Sequence, residues 1–227
     1  MARRRIKAIV FDSDGTLFTL DGYLPRFASV MGRVLRKLKG KIITDKTELY
    51  EPFRGEQKDS DKFMKDVFKV NPKEYWKVLS HHDMEERKKI LGKEINVFPD
   101  TTAIDSLKGK YKLGLLSNTP QEIIDYQLNH FGMAKHFDAK VCSVYKDEKS
   151  KPEVRGAMEV LQKLGVKPEE AIMVGDAEVD VQVGKRLGMT TVQVKRDHSH
   201  HYEKMNPDFT IRSLEELEDV IETLHMK

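Results

Sequence analysis

Cysteine is almost missing from this chain. Cys142 is the only one among 227 residues, so no disulfide can form within the chain. Such usage fits a reducing compartment. Long apolar runs are missing too. No stretch approaches the roughly 18 apolar residues that a membrane-spanning helix needs. The opening Met1-Ala2-Arg3-Arg4-Arg5 is basic, but no apolar region of the signal type follows it. An intracellular, cytoplasmic protein with no membrane partner is expected. A large net charge is also lacking. Lys and Arg total 40 against 37 Asp and Glu, a net +3, and both signs are spread along the chain. No nucleic-acid partner is expected from that balance, and Arg3–Arg5 reads as a solvated terminus. Internal repeats and low-complexity tracts are absent. With 39% hydrophobic and 34% charged residues, the chain reads as globular with a heavily ionised surface. Its length suits one large domain or two small ones and allows an ample core.

The most informative stretch is Val10-Phe11-Asp12-Ser13-Asp14-Gly15-Thr16-Leu17. An apolar strand signal, Ala8 to Phe11, stops at two carboxylates one residue apart. Like charges that close repel unless a cation holds them. A divalent ion with oxygen ligands, Mg²⁺ above all, is the economical explanation.

Strand and helix patterns alternate over much of the chain. Strands are expected at Ile6–Phe11, Lys112–Leu116, Ala139–Val144, Ala171–Val174, Thr190–Val194 and Asp208–Ile211. Val154, Ala157, Met158, Leu161 and Leu164 recur at helical spacing before Gly165. Val179–Leu187 stops at Gly188 in the same way, and Leu214, Leu217, Val220, Ile221 and Leu224 form one stripe. This alternation predicts an α/β fold, a Rossmann-like doubly wound parallel sheet.

Residues 19–95 break the rhythm. Phe27, Val30, Met31, Val34, Leu35 and Leu38 mark an amphipathic helix, and Phe63, Met64, Val67 and Phe68 suggest another. Asn71-Pro72-Lys73-Glu74 opens a third around Tyr75–Leu79. The expected organisation is a core of residues 1–18 and 96–227, with a small all-helical domain of residues 19–95 inserted after the first strand. Its connections fall near Phe18–Gly22 and Lys93–Asp100.

Four polar clusters follow four expected strands: Asp12-x-Asp14-Gly15-Thr16, Ser117-Asn118, Lys151-Pro152, and Gly175-Asp176-Ala177-Glu178-Val179-Asp180. In an open α/β sheet, ligands bind beyond the carboxyl ends of the strands. The four clusters therefore converge on one crevice. The Asp176/Asp180 spacing of four places both acids near one helix face, with Asp176 at the strand end and Asp180 behind it.

On these motifs the chain resembles the haloacid dehalogenase-like hydrolases, mostly phosphatases, over residues 6–17 and 98–212. The helical insert sits where that family places a C1-type cap. The resemblance implies that Asp12 is the nucleophile, forming an aspartyl-phosphate, and that Asp14 is the general acid and base. It implies that Ser117, with Asn118 beside it, and Lys151 receive the phosphoryl group. It also implies that Asp12, the Asp14 main-chain carbonyl and Asp176 hold Mg²⁺. Asp180 is expected to support a metal-bound water or Lys151. Dehalogenating members carry a different residue at the place of Asp14, so a phosphoryl leaving group is expected here rather than a halide. The implied function is hydrolysis of a small phosphorylated metabolite. A phosphomutase would share every core residue, and a non-catalytic binding protein on the same scaffold is the remaining alternative.

Other features carry less. Arg54, in the insert, reads either as a grip on a second anionic group of the substrate or as a surface loop arginine; Lys58 and Lys62 are weaker candidates for the same role. His198-Ser199-His200-His201 has no i, i+4 pair and no nearby cysteine, so it reads as a polar loop. His81-His82 reads as a solvated helix end, Tyr75 and Trp76 as core of the insert, and Cys142 as an inert buried thiol. No interface pattern indicates an oligomeric state.

Overall fold

The computed structural model describes residues 5–20, 22–43, 45–53, 57–196 and 206–226. Strand β1 (Ala8–Phe11) is buried throughout. Helical elements follow it: α1 (Leu24–Lys37), α2 (Lys46–Tyr50), α3 (Gln57–Phe63), α4 (Pro72–Ile90) and α5 (Ala103–Leu107). Then come β2 (Lys112–Ser117), α6 (Gln121–His130), β3 (Ala139–Cys142), α7 (Val154–Leu164), β4 (Ala171–Gly175), α8 (Glu178–Leu187), β5 (Thr190–Val194), β6 (Phe209–Ile211) and α9 (Leu217–Met226).

The six strands form one sheet in the order β3-β2-β1-β4-β5-β6. Every pairing is parallel. This is the doubly wound order, with β1 at the switch point. Alternate residues of each strand face opposite layers. Ala8, Val10, Leu116, Val141 and Met173 pack with Ala157, Val160, Leu161 and Leu164 of α7. Ile9, Phe11, Leu113, Leu115, Ile172 and Val174 share the other core with Ile123, Ile124 and Leu128 of α6 and Leu217 and Ile221 of α9. Continuous apolar strands are what a sheet covered on both faces requires. Gly165 and Gly188 end α7 and α8 at φ 64° and 75°, a conformation glycine adopts at little cost.

The expected strands all form, within a few residues at their ends. Two helical readings need correction. Met158 is 56% exposed and not on the buried stripe of α7; it lies about 100° round the helix from Ala157. The helix expected around Tyr75–Leu79 runs on to Ile90. His81 and His82 are therefore inside α4 rather than at its end. Its start is as expected, with Asn71 Oδ1 accepting from Glu74 N at 3.2 Å and Pro72 in the first turn.

No strand lies between β1 and β2 among the described residues. The helices there bury Phe27, Val30, Met31, Val34 and Leu35 of α1 against a shared core with Met64, Phe68, Tyr75, Trp76 and Leu79. The two connecting segments run side by side. Thr19 N donates to Asn96 O at 2.8 Å, Phe98 N donates to Leu17 O at 3.0 Å, and Phe18 bridges Val97 in antiparallel sense.

Candidate active site

Asp12 extends β1 by one residue, its N–H donating to Val174 O of β4 at 2.9 Å. The chain then turns sharply. Ser13 O accepts from Leu17 N at 2.8 Å and from Phe18 N at 3.0 Å, and Gly15 sits at φ 86°. A Cβ at residue 15 would lie 2.5 Å from Asp176 Oδ2. Glycine is thus required twice, for the backbone angle and for the approach of β4. Gly175 is similarly crowded, since a Cβ there would lie 2.2 Å from Asp180 Cγ.

Hydrogen bonds tie the four strand ends together. Ser13 Oγ and Ser117 Oγ are 2.6 Å apart. Thr16 Oγ1 donates to Asp176 Oδ1 at 2.9 Å. Asn118 exchanges a pair of bonds with the Lys151 main chain, accepting at 2.7 Å and donating at 3.0 Å. Lys151 Nζ donates to Asp12 Oδ1 at 2.5 Å and to Asp180 Oδ1 at 2.6 Å. Asp180 Oδ2 accepts from Ala177 N at 3.0 Å in the first turn of α8.

All these side chains are buried or nearly so. Burial pushes the Asp12 carboxyl well above its usual range; Lys151 opposes this, while Asp180 and Asp176 add to it. Burial raises Asp180 as well, again against Lys151. For Lys151 burial disfavours the charge, but Asp12 and Asp180 outweigh it and hold the ammonium above its ordinary range. Oxygens of Asp12, Asp176 and Asp180 lie within 4.8 Å of one another. Three carboxyl groups face one ammonium, so with all of them ionised the negative charge exceeds the positive. Oxygen donors with that excess fit a hard divalent cation.

The Asp14 side chain leaves this group. Its oxygens accept from Arg87 of α4, Nη2 at 2.7 Å and Nη1 at 3.0 Å, and from Thr119 Oγ1 at 2.8 Å. Gln127 Nε2 lies at 3.5 Å. Burial pushes the carboxyl up, but the Arg87 charge and these hydrogen bonds outweigh it, leaving Asp14 below its usual range. Arg87 is anchored behind by Asp83, its Nε at 3.2 and 3.3 Å from the two oxygens. Asp83 also accepts from the hydroxyls of Tyr23 and Tyr145.

Asp12, Ser117, Asn118, Lys151, Asp176 and Asp180 are therefore brought together as the sequence suggests. Asn118 reaches the site by fastening Lys151. Arg87, Asp83 and Gln127 are contributors that the sequence reading misses, and so is the Thr119 contact with Asp14. An Asp and an Arg four residues apart on one helix is their only local signal. Lys58 and Lys62 are exposed. Arg54 and His198–His201 lie outside the described residues. Tyr75 and Trp76 are buried, in a cluster that also holds residues of the sheet. Cys142 ends β3 half-buried rather than buried, and burial pushes its thiol up to about 12. Among the described residues no helix is long and apolar enough to cross a membrane.

A family model described as haloacid dehalogenase-like hydrolase matches residues 6–188. The phosphoglycolate phosphatase of Aquifex aeolicus is 30% identical over 211 residues, covering 91% of this chain and 92% of that protein. The pyrophosphatase PpaX of Bacillus velezensis is 29% identical over 207 residues, with 86% and 85% covered. A crystal structure of a HAD phosphatase from Thermococcus onnurineus is 28% identical, with a TM-score of 0.66 over 95% of this chain and 98% of that one.

Proposed function

Because this chain belongs to the haloacid dehalogenase-like hydrolases, and its relatives include phosphatases and a pyrophosphatase, we propose that it hydrolyses a small phosphorylated metabolite through an aspartyl-phosphate. The observation that carries this reading is Asp12, a buried carboxylate at the end of the central strand, held 2.5 Å from Lys151 Nζ.

An Asp12 oxygen attacks phosphorus, and the bond from phosphorus to the leaving oxygen breaks. Asp14 gives that oxygen a proton. Water then attacks phosphorus, Asp14 takes up a proton from it, and the Asp12–phosphorus bond breaks. Lys151 draws charge from Asp12 and from the phosphoryl oxygens as a compact cation. Ser117 Oγ and a main-chain amide at Asn118 bind those oxygens. Asp180 keeps Lys151 in place. Asp12, Asp176 and the Asp14 main-chain carbonyl would hold Mg²⁺, which when bound neutralises phosphoryl charge in the transition state. The helical insert, residues 19–95, acts as a cap that excludes bulk water from a core of residues 1–18 and 96–227. A chain with a single cysteine suits work in the reducing cytoplasm.

The test is phosphate release from a broad ester panel with and without Mg²⁺. Release that a chelator abolishes, and that Asp12→Asn removes while circular dichroism is unchanged, is expected. An Asp12→Asn variant within about tenfold of the parent means that another group attacks phosphorus. Isomerised hexose phosphate in place of free phosphate makes the protein a mutase, chloride from a 2-haloacid makes it a dehalogenase, and inactivity on every ester favours a non-catalytic binding role.

A further inference from the structure

The acid/base role given to Asp14 requires its carboxyl to face the leaving oxygen beside Asp12. In this structure the group is engaged elsewhere. Both oxygens accept from the Arg87 fork, at 2.7 and 3.0 Å, and one also accepts from Thr119. Paired charge-assisted bonds of this kind are among the strongest a carboxylate makes. A carboxyl so held cannot also serve a leaving group. The arrangement is a resting one, and something must draw Asp14 out of it.

Charge balance shows how. Arg87 is 2% exposed and Asp83 is fully buried. Asp83 already neutralises Arg87 one for one, and two tyrosine hydroxyls satisfy it further. Gln127 Oε1 takes another Nη1 bond at 2.6 Å. Asp14 is thus the second carboxylate on one guanidinium. It can leave without stranding a buried cation. What remains is an Arg87 fork facing the core, and a guanidinium fork matches the two oxygens of a carboxylate or a phosphate. A donor left there without a partner costs free energy, so a replacement oxyanion is favoured over none.

The place matters as well. Asp14 is two residues from Asp12, so the Arg87–Asp14 contact brings α4 close to the strand end that carries Asp12. A substrate between core and insert meets Lys151 with its phosphoryl group and Arg87 with whatever lies at its other end.

We propose that Arg87 determines substrate choice by exchange. It holds Asp14 until a second oxyanion on the substrate, a carboxylate or a second phosphate, takes Asp14's place and frees it for proton transfer. Esters without that group leave Asp14 clamped and turn over slowly. This inference rests on the hydrolase reading above and adds the substrate class: phosphate compounds with a second oxyanion a few bonds from the transferred group.

Matched substrates test it, with the full chain and Mg²⁺. 2-Phosphoglycolate and 2-hydroxyethyl phosphate differ by carboxylate against hydroxymethyl, as do 3-phosphoglycerate and glycerol 3-phosphate. Pyrophosphate supplies the phosphate arm. The parent enzyme should prefer an oxyanion-bearing compound by roughly tenfold or more in kcat/KM, the scale of one or two charge-assisted bonds. Which arm is favoured identifies carboxylate or phosphate. The double variant Asp83→Asn, Arg87→Met replaces the buried pair with neutral groups of similar size. Its KM for the favoured compound should rise by roughly tenfold, while kcat for the plain ester rises severalfold. A purely structural role for Arg87 would lower both kcat values together, and that result overturns the proposal. So does a parent enzyme with no preference between pair members. Should the double variant not fold, Arg87→Lys, which keeps the charge but loses the fork, is expected to raise the same KM; an unchanged KM there also counts against the exchange. A parent that releases phosphate from no ester at all refutes the hydrolase reading itself, and the exchange with it.

Discussion

Lys151 Nζ lies 2.6 Å from Asp180 Oδ1 and bridges that residue to Asp12. One ammonium therefore serves as the only cation paired, among the described residues, with both buried acids. Removing it leaves two buried carboxyl groups without this counter-charge. Breaking a buried pair this way typically costs about 3–5 kcal/mol. Part of that cost is avoided here, because Asp12 and Asp180 already have raised carboxyl pKa values and take up protons when the cation goes. Protonation disarms the nucleophile. Lys151→Met should therefore lower kcat by at least about 100-fold, the scale of one lost electrostatic group, with a smaller loss of stability. Initial rates and a thermal melt separate the two effects; a variant that melts early but keeps its rate would contradict the assignment.

The same acids predict how the metal and pH act on stability. A carboxyl whose folded pKa is raised binds protons more readily in the native state than in the unfolded one. Its stabilising contribution is then greatest at low pH and falls as pH rises through the raised folded pKa. Asp12 and Asp180 both have this direction. Asp14 has the opposite one, and its contribution is lost only as pH drops below the usual carboxylate range. The metal-free protein should lose Tm between pH 5 and pH 7.5. A cation binding the native state at 100 times its Kd adds about 2.7 kcal/mol, or about 5–10 °C for a chain of this size. Mg²⁺ should raise Tm by that order at pH 7.5 and by much less at pH 5. Equal shifts at the two pH values would show that the carboxylates are not where the ion binds.

The glycine in the β1 turn can be tested against a glycine with the same backbone angle elsewhere. Gly15 and Gly109 sit at φ 86° and 89°. A Cβ at Gly109 meets nothing within 4 Å, whereas one at Gly15 collides with the Asp176 carboxylate. Gly109→Ala should cost only the backbone strain, about 1 kcal/mol, and leave activity intact. Gly15→Ala adds displacement of Asp176 and should reduce kcat by roughly 100-fold, since misplacing an active-site group by an ångström costs about that much. Equal stability losses with equal activity in the two variants would remove Asp176 from the site.

The fold and most of the site can be read from the sequence because the relevant signals are local. Buried parallel strands are written as short apolar runs, and each polar cluster follows its strand directly. Arg87 could not be found this way. It lies 73 residues from Asp14, and the pairing exists only once α4 is seated on the core. The helix outruns its apolar pattern for a related reason. After Leu79 and Ser80, its buried residues before Ile90 are Asp83, Glu86 and Arg87. Apolar periodicity stops there although burial does not, because the inward face has been given over to charges that satisfy one another. Asp83 and Arg87 at a spacing of four look like an ordinary surface pair. Polar burial is set by tertiary partners, and no single segment records it.

Trp76 offers a direct view of how the insert sits. It is the only tryptophan in the chain, it is 4% exposed, and its ring stacks on Tyr145 at 5.9 Å. Tyr145 comes from the loop after β3, so this contact joins that loop to α4. The residue sits at φ 58° without being glycine, a conformation sustained only by strong surrounding contacts. Phe27 and Phe53 lie 6.0 and 6.1 Å from its ring, and its hydroxyl reaches Asp83. Tyr145→Ala removes the ring and one donor to the buried carboxylate. Trp76 should then become accessible, with a red-shifted emission and stronger acrylamide quenching than in the parent. Tyr145→Phe keeps the ring and should leave the emission near that of the parent, while the lost bond to Asp83 costs about 1–3 kcal/mol in a thermal melt. If Tyr145→Ala leaves quenching unchanged, the aromatic contact does not hold the insert on the core, and the Asp83–Arg87–Asp14 chain of bonds must do so without it.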